Sequence, residues 1–206
     1  EQFIPRYVVG VDLGVKDLVI TSNGLKYHKL EKIKQLENKL KGLNKWLSRS
    51  MKGSKNRQKI ILKIQRVNQK IKNMRKFYNH LITNKIVKEN DIIITETLKV
   101  KDMIVDGKNK LAKYISNSNL SEIIHQLKYK ASWHNKRLYQ INTYYPSSQT
   151  CSNCKTKNKV LKDLSIREWE CLNCHFRHDR DINASFNILD EGIKLYLKDL
   201  QAEQSI

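Results

Sequence analysis

The sequence has little proline and only short apolar runs. It contains two prolines in 206 residues and is 39% hydrophobic. This composition differs from that of a disordered chain, so we expect a folded protein. Apolar runs such as Ile92–Ile94 have the length of strands, and no apolar segment opens the sequence. We therefore expect a soluble, cytoplasmic protein with no membrane partner, no spanning helix and no signal peptide.

Acidic residues are also scarce, since 20 Asp and Glu face 40 Lys and Arg, for a net charge of +20. Such a balance argues against an acidic tail or a typical metabolic enzyme and favours a polyphosphate partner, DNA or RNA. The excess is concentrated in one segment. From Lys26 to Lys76 there are 18 basic and two acidic residues, which is +16 of the +20.

That basic segment repeats apolar residues at helical spacing, from Leu30 to Leu47 and again from Ile60 to Leu81. The pattern predicts two long helices. Between them, Ser48–Asn56 contains Gly53 and is typical of a turn. We expect a helical hairpin insert at residues 29–89, with two apolar stripes facing each other and the other faces basic.

Cysteine is the third scarce residue, with four in the chain, arranged as two Cys-x₂-Cys pairs sixteen residues apart. In a reducing compartment such pairs are metal ligands or free thiols before they are disulfides. Redox use of one pair would leave the other pair unexplained. His175 and His178 are possible ligands by type, but four thiolates complete a shell without them. The spacing predicts a structural Zn²⁺ on Cys151, Cys154, Cys171 and Cys174.

The remaining elements follow a recognisable order. Three short strands open the chain, with an Asn23-Gly24 turn signal, and the hairpin insert follows. A strand at 91–96, a helix from Leu120, a strand at 137–145, the cysteine segment and a helix at 179–197 complete it. Without the inserts, this is the order of an RNase H-like α/β fold with a mixed sheet. We expect that domain at residues 1–146 and 177–206, and an inserted zinc ribbon at 147–176.

Three acids stand at informative places in this order. Asp12 lies in an apolar strand, Glu96 closes a strand of three isoleucines, and Asp181 starts the last helix. Each alone has an ordinary explanation: a turn, a solvated strand end or a helix cap. In an RNase H topology, however, these elements meet at one sheet edge, where three carboxylates repel one another unless Mg²⁺ or Mn²⁺ neutralises them. The set therefore predicts two-metal hydrolysis of a phosphodiester.

Five strings of residues carry a family resemblance. They resemble the RuvC-like nuclease and zinc ribbon of the TnpB (OrfB) proteins, which insertion sequences encode and which are related to type V CRISPR effectors. The similarity runs through nearly the whole chain, in order. The strings are Gly10–Gly14, Ile92–Leu98, Tyr145–Cys154, Arg167–Cys171 and His178–Ala184.

The resemblance implies an RNA-guided DNA endonuclease whose partners are target DNA and, in the full-length protein, a guide RNA. It implies Mg²⁺ on Asp12, Glu96 and Asp181 and zinc on the four cysteines. It also favours Asp181 over Asp179, because the family's acid comes two residues before Asn-Ala.

Two features depart from the family pattern. Lys155 and His175 stand where the family's cysteine pairs are usually followed by glycine. In addition, the larger N-terminal part that grips guide RNA in the family has no counterpart in the eleven residues before Asp12. We therefore expect a fragment or a truncated copy.

Two other functions fit parts of the sequence. One is a non-catalytic nucleic-acid-binding regulator or accessory fragment, which would use the basic hairpin alone. The acid set argues against it, because carboxylates weaken phosphate binding unless they hold metal. The other is a Holliday-junction resolvase, which shares the active site, but the ribbon and the long insert argue against it.

Overall fold

The computed structural model describes residues 4–14, 17–97, 120–158, 161, 163 and 165–204. The sequence also predicts a polar loop at 99–117 and a helix cap at Ser118, and both lie outside the described residues. Within them, no helix is both long enough and apolar enough to cross a bilayer.

The elements follow the predicted order. A short 3₁₀ turn at Ser147–Gln149 separates β5 from the cysteine segment. The elements are β1 (Val8–Asp12), β2 (Asp17–Thr21), β3 (Lys26–His28), α1 (Glu31–Arg49), α2 (Lys55–Glu89), β4 (Ile92–Glu96), α3 (Leu120–Trp133), β5 (Arg137–Ile141), β6 (Glu168–Glu170), β7 (Arg177–Asp179) and α4 (Arg180–Glu203).

Two boundaries differ from the sequence prediction. Strand β5 ends at Ile141 instead of Tyr145 because Asn142 starts a turn, in which its carbonyl accepts from the Tyr145 N–H at 3.1 Å. Helix α4 continues to Glu203, six residues past the predicted end. The strand-like composition therefore continues into a turn, which Oδ1 of Asn142 also stabilises by accepting from the Tyr144 N–H at 2.9 Å.

Five strands form a mixed sheet in the order β3-β2-β1-β4-β5. Strands β1, β2 and β3 pair antiparallel, whereas β4 runs parallel to both β1 and β5. Gly24 turns the chain between β2 and β3 with a left-handed φ of 85°. The predicted RNase H-like α/β fold is confirmed.

Two glycines bring α4 close to the sheet. A Cβ added at Gly10 in β1 would lie 2.1 Å from the Ser185 carbonyl oxygen of α4. A Cβ on Gly192 of α4 would lie 2.1 Å from Cγ2 of Ile94 in β4. At Gly10 the backbones of β1 and α4 lie too close together for any side chain, and at Gly192 the backbone of α4 packs directly on the Ile94 side chain. These two contacts fix where α4 lies against β1 and β4.

The chain divides into two compact units, residues 1–28 with 82–206, and residues 29–81. We call the second unit the basic hairpin. It has 17 basic residues and two acids, a net charge of +15. Its own core consists of buried side chains from α1 and α2, with Glu37 and Arg75 paired at 2.6 Å between the helices. The core residues are Ile33, Leu43, Val67 and Ile71. Helix α2 itself continues to Glu89, and its last turns belong to the first unit.

Candidate functional site

Two of the predicted acids lie side by side at the sheet edge. Asp12 ends β1 and Glu96 ends β4, and the parallel register pairs Val11 with Thr95, one residue before each. Burial raises the pKa of Asp12 well above its ordinary value, and the negative charges of Glu96 and Asp181 raise it further. The Leu13 N–H and the Arg180 guanidinium oppose this rise but do not cancel it. Asp12 is therefore close enough to each of the other two acids to be repelled by its charge.

Asp181 reaches this group from the first turn of α4. Its two carboxylate oxygens lie 3.3 and 3.4 Å from Nη1 of Arg167 in the cysteine segment. The Asp181 side chain is 19% exposed and that of Arg167 is 46% exposed. Arg167 is thus a long, partly exposed cationic side chain beside the acids, and its positive charge partly balances that of Asp181.

Glu96 has a neutral partner. The Ser147 hydroxyl donates to Oε1 of Glu96. Burial raises the pKa of Glu96, and the bond from Ser147 acts in the opposite direction by favouring the ionised carboxylate. Ser147 is itself buried, at the start of the 3₁₀ turn.

Asp179 has a different task from Asp181. It caps α4, because its Oδ1 accepts from the backbone N–H groups of Asp181 at 3.1 Å and Ile182 at 3.0 Å. The Lys26 ammonium lies 2.6 Å from its Oδ2. Burial alone would raise the pKa of Asp179, but Lys26 and the two N–H groups together bring it below the ordinary value. The cap carboxylate is thus satisfied by protein groups of its own helix and by Lys26, whereas that of Asp181 pairs with Arg167 and lies close enough to raise the pKa of Asp12.

This arrangement suits a hard divalent cation. Carboxylate oxygens are the ligands that Mg²⁺ and Mn²⁺ prefer. The raised pKa of Asp12 means that protein groups leave negative charge at the site uncompensated. Arg180 is the smallest of the influences on that pKa, and its Nη1 donates to the carbonyls of Asp163 at 2.6 Å and Ile166 at 3.4 Å. The donor set and its charge therefore fit the predicted cation.

The four cysteines form a second site. All four are free thiols, and their Sγ atoms lie within 4.8 Å of one another. Two of the separations are 3.7 Å, between Cys151 and Cys174, and 3.6 Å, between Cys154 and Cys171. A tetrahedral zinc with bonds of ~2.3 Å holds its sulfurs about 3.8 Å apart. The cluster therefore has the size of one tetrahedral thiolate site.

Each cysteine pair lies in a tight turn. The Cys151 carbonyl accepts from the Lys155 N–H at 2.9 Å, and the Cys171 carbonyl accepts from the His175 N–H at 2.8 Å. Lys155 and His175 have left-handed φ angles of 61° and 56°. These are the positions where the sequence lacks the family's usual glycine. Both turns form without glycine, at a cost of roughly 1–2 kcal/mol for each left-handed residue.

The two histidines of this segment lie beside the cluster. His178 is buried, with Nε2 3.0 Å from Sγ of Cys151 and its ring stacked on Trp169 at 4.6 Å. Burial lowers the pKa of His178. His175 instead lies 3.2 Å from a carboxylate oxygen of Glu170. Neither belongs to the group of four ligand atoms, as the spacing of the cysteines predicts.

Two asparagines of α4 bind the base of the cysteine segment, and sequence reasoning missed them. Nδ2 of Asn183 donates to the Thr150 carbonyl at 2.8 Å, and its Oδ1 accepts from the Ser152 N–H at 2.8 Å. Nδ2 of Asn187 donates to the carbonyls of Ser147 at 2.8 Å and Thr150 at 2.6 Å. The available signal was a polar residue recurring every four positions on a helix face that has to be buried.

Comparison with known families decides the relationship. The family model OrfB_IS605, described as "Probable transposase", matches residues 2–107, slightly more than half of the chain. The chain belongs to the TnpB (OrfB) family. The model of the "Cas12f1-like, TNB domain" matches residues 121–188, which include all four cysteines. The family resemblance read from the sequence strings is confirmed.

Named relatives of the TnpB family align with most of this chain. A "Putative RNA-guided DNA endonuclease" of Streptomyces pristinaespiralis is 36% identical over 185 residues, which is 90% of this chain and 45% of the relative. InsQ of Escherichia coli K12, of the same description, is 31% identical and matches 90% of this chain and 49% of the relative. The chain thus spans about half the length of these relatives.

Solved structures of low sequence identity share the fold. A Cas12f1–sgRNA–target DNA complex matches 92% of this chain and 51% of its own, with a TM-score of 0.58 at 19% identity. The mini-RNA-guided endonuclease CRISPR-Cas_phi3 matches 92% and 45%, with a TM-score of 0.55 at 12% identity. This member of the TnpB family therefore shares the fold of these two structures.

Proposed function

We propose that this chain is the nuclease part of an RNA-guided DNA endonuclease. In this proposal, Asp12, Glu96 and Asp181 hold Mg²⁺ or Mn²⁺ and the chain hydrolyses the DNA backbone. The observation that carries it is the convergence of the three carboxylates at the ends of β1 and β4 and the start of α4. The description of the relatives as RNA-guided DNA endonucleases supports the substrate and the guide.

When bound, the cations supply a water activated for attack and charge that stabilises the leaving oxygen. The chain's own residues prepare the site. Asp12 is fixed at a strand end, and Ser147 holds one oxygen of Glu96. Arg167, which pairs with Asp181, would be placed to contact a DNA phosphate if a cation were held by that carboxylate.

The proposed zinc has no catalytic step. Four thiolates would close its tetrahedral shell, and a closed site stabilises the fold instead of activating water. The division of the chain is part of the same proposal: a nuclease domain at 1–146 and 177–206, a helical insert at 29–89 and a ribbon at 147–176.

The basic hairpin is proposed to contact the phosphates of DNA or guide RNA. It has 17 basic residues, and its ion pairs engage Arg75 with Glu37 and Lys34 with Glu31 among the described residues. Most of its cations are therefore open to a polyanion. Guide RNA, and any choice of target, belong to the longer protein in this proposal.

Cleavage of labelled single-stranded DNA in Mn²⁺ tests the proposal. Asp12→Asn should lower the cleavage rate by more than about 100-fold, because the loss of an outer partner of a metal ligand already costs 10–100-fold. Asp199→Asn is the matched control, since it removes an exposed acid from the same helix that carries Asp181. Cleavage by Asp12→Asn at the wild-type rate would contradict the proposal.

A second candidate is non-catalytic binding of nucleic acid. The concentration of +15 in residues 29–81 favours it. Non-catalytic binding predicts tight DNA binding without cleavage in Mg²⁺ or Mn²⁺. It also predicts that Asp12→Asn changes neither the DNA binding nor the absence of cleavage. The same assay therefore separates the two candidates.

A further inference from the structure

The cysteine ribbon contacts the acid site through one buried hydroxyl. We propose that Ser147 is a positioning residue for Glu96, and that the ribbon and two asparagines of α4 hold it in place. The ribbon would then set cation affinity at the acids as well as stabilise the fold. This inference rests on the proposed function, because it assumes that Glu96 binds a cation.

The hydroxyl of Ser147 points to the Glu96 carboxylate and not into its own turn. It donates to Oε1 of Glu96, a residue 51 positions earlier in the sequence. Thr150, at the other end of that turn, instead uses its hydroxyl locally, donating to the Pro146 carbonyl at 3.0 Å. A carboxylate has two oxygens, and a donor fixed on one of them orients the other. Ser147 thus leaves Oε2 of Glu96 available to a ligand.

The backbone of Ser147 is fixed independently of Glu96. Its carbonyl accepts from Nδ2 of Asn187 at 2.8 Å, and its N–H donates to the Tyr145 carbonyl at 2.8 Å. Asn187 and Asn183 both also bind the Thr150 carbonyl, at 2.6 and 2.8 Å. Both asparagines are buried, so these bonds are shielded from water.

The hydrogen bonds of Asn183 and Asn187 to the Ser147 and Thr150 carbonyls lie next to the cysteine cluster in the chain. Thr150 immediately precedes Cys151, whose N–H donates to the Thr156 carbonyl at 3.0 Å within the first cysteine turn. Asn183 also accepts from the N–H of Ser152 inside that turn. A displacement of the turn would therefore be passed to Ser147 through Thr150.

The expected effect is on cation affinity. Partners that orient a metal ligand typically change affinity or activity by about 10- to 100-fold when removed. Ser147→Ala should raise the Mn²⁺ dissociation constant of this chain by that factor, measured by isothermal titration with Mn²⁺ alone. Ser147→Thr, which keeps the hydroxyl, should restore most of the affinity. Ser148→Ala, in the same turn but partly exposed, should match wild type.

Zinc content, the melting temperature and two further variants separate a positioning role of Ser147 from the alternatives. Zinc content and the melting temperature of Ser147→Ala should stay at the wild-type values. Unchanged Mn²⁺ affinity in Ser147→Ala would overturn the inference, and so would loss of zinc together with Mn²⁺, because Ser147 would then act on ribbon folding. If Ser147→Ala fails to fold, Ser147→Cys, which fills the same space with a weaker donor, must show the reduced affinity. Glu96→Gln tests the proposed function separately, because wild-type Mn²⁺ binding in that variant would contradict the acid site itself.

Discussion

The basic hairpin and the first unit, which contains the five-stranded sheet and which we call the sheet region, differ in the sign and the exposure of their charged side chains. In the hairpin, basic side chains cover an apolar seam between two helices, and nearly all of them face water. In the sheet region, acids lie at strand ends among buried isoleucines, and burial raises the pKa values of Asp12 and Glu96. Exposed charge of one sign costs little stability and attracts a polyanion over a distance. Buried charge of one sign destabilises the fold until a specific cation arrives.

This contrast predicts that single changes have large effects in the sheet region and small ones in the hairpin. Glycines offer the clearest test. A Cβ at Gly10 would collide with the backbone oxygen of Ser185, whereas a Cβ at Gly42 in α1 has nothing within 4 Å. Gly10→Ala should lower the free energy of unfolding by about 3 kcal/mol or more. Gly42→Ala should raise it by about 0.5–1 kcal/mol, since alanine favours helix.

Urea unfolding of both glycine variants measures this difference. Equal effects of the two substitutions would contradict the close packing of α4 on β1.

Removal of the metal from the cysteine ribbon should have the next largest effect. Cys174→Ser removes one ligand of the proposed zinc, and a chelator removes the ion itself, so either change should take away the binding free energy that stabilises the two turns. We expect a lower melting temperature and loss of one zinc per chain by metal analysis. A chelator that leaves the melting curve unchanged would argue against a structural ion.

Lysines of the hairpin should control the salt dependence of DNA binding. Lys39, Lys45, Lys63 and Lys70 are exposed, two on each helix. Each phosphate contact contributes about 0.7 to the slope of log K against log salt for a single strand. The fourfold Lys→Gln variant should therefore flatten the slope by up to ~3, whereas Asp12→Asn should leave it unchanged. A slope unaffected by the four lysines would place the binding surface elsewhere.

Asp91 offers a smaller, pH-dependent test in the sheet region. It precedes β4 and accepts from the N–H groups of Arg6 and Tyr7 at 2.8 and 3.0 Å, so it connects β4 to the start of β1. Its bond from the Lys136 ammonium, together with those N–H groups, lowers the pKa of Asp91 from 3.8 to about 2.

A lowered folded-state pKa stabilises the fold above the unfolded-state pKa and loses that contribution as the pH falls through the folded-state value. Asp91→Asn should therefore cost about 1–2 kcal/mol at pH 7 and less at pH 3. Urea unfolding at both pH values checks this. A cost that is equal at the two pH values would show that the charge of Asp91 does not contribute.

Much of this organisation could be predicted from the sequence because it depends on periodic patterns. Alternation and helical spacing predicted the strands, the hairpin and the element order, and topology then brought Asp12, Glu96 and Asp181 into one neighbourhood. The cysteine spacing predicted the four-sulfur cluster. Such patterns arise because whole faces of helices and strands are buried, so apolar residues recur in the sequence at a regular spacing.

The contacts that were missed depend on single side chains. Ser147 has no period or spacing that marks it, and the four-residue spacing of Asn183 and Asn187 does not reveal what they bind. Their partners are a carboxylate for Ser147 and carbonyls for the asparagines, all far away in the sequence. The division of tasks between Asp179 and Asp181 could be drawn only from the family resemblance, since both are acids at the same helix start. Only the cap geometry separates them in physical terms.

The melting temperature of wild type and Asp12→Asn, with and without Mn²⁺, tests the central claim most directly. A raised folded-state pKa means that the ionised Asp12 destabilises the cation-free fold at neutral pH, so Asp12→Asn should melt at or above wild type without Mn²⁺. At a Mn²⁺ concentration about 100 times the dissociation constant, wild type should gain roughly 5–10 °C and the variant almost nothing. A wild-type melting temperature that does not respond to Mn²⁺, or an equal response in Asp12→Asn, would contradict a cation site built from these acids.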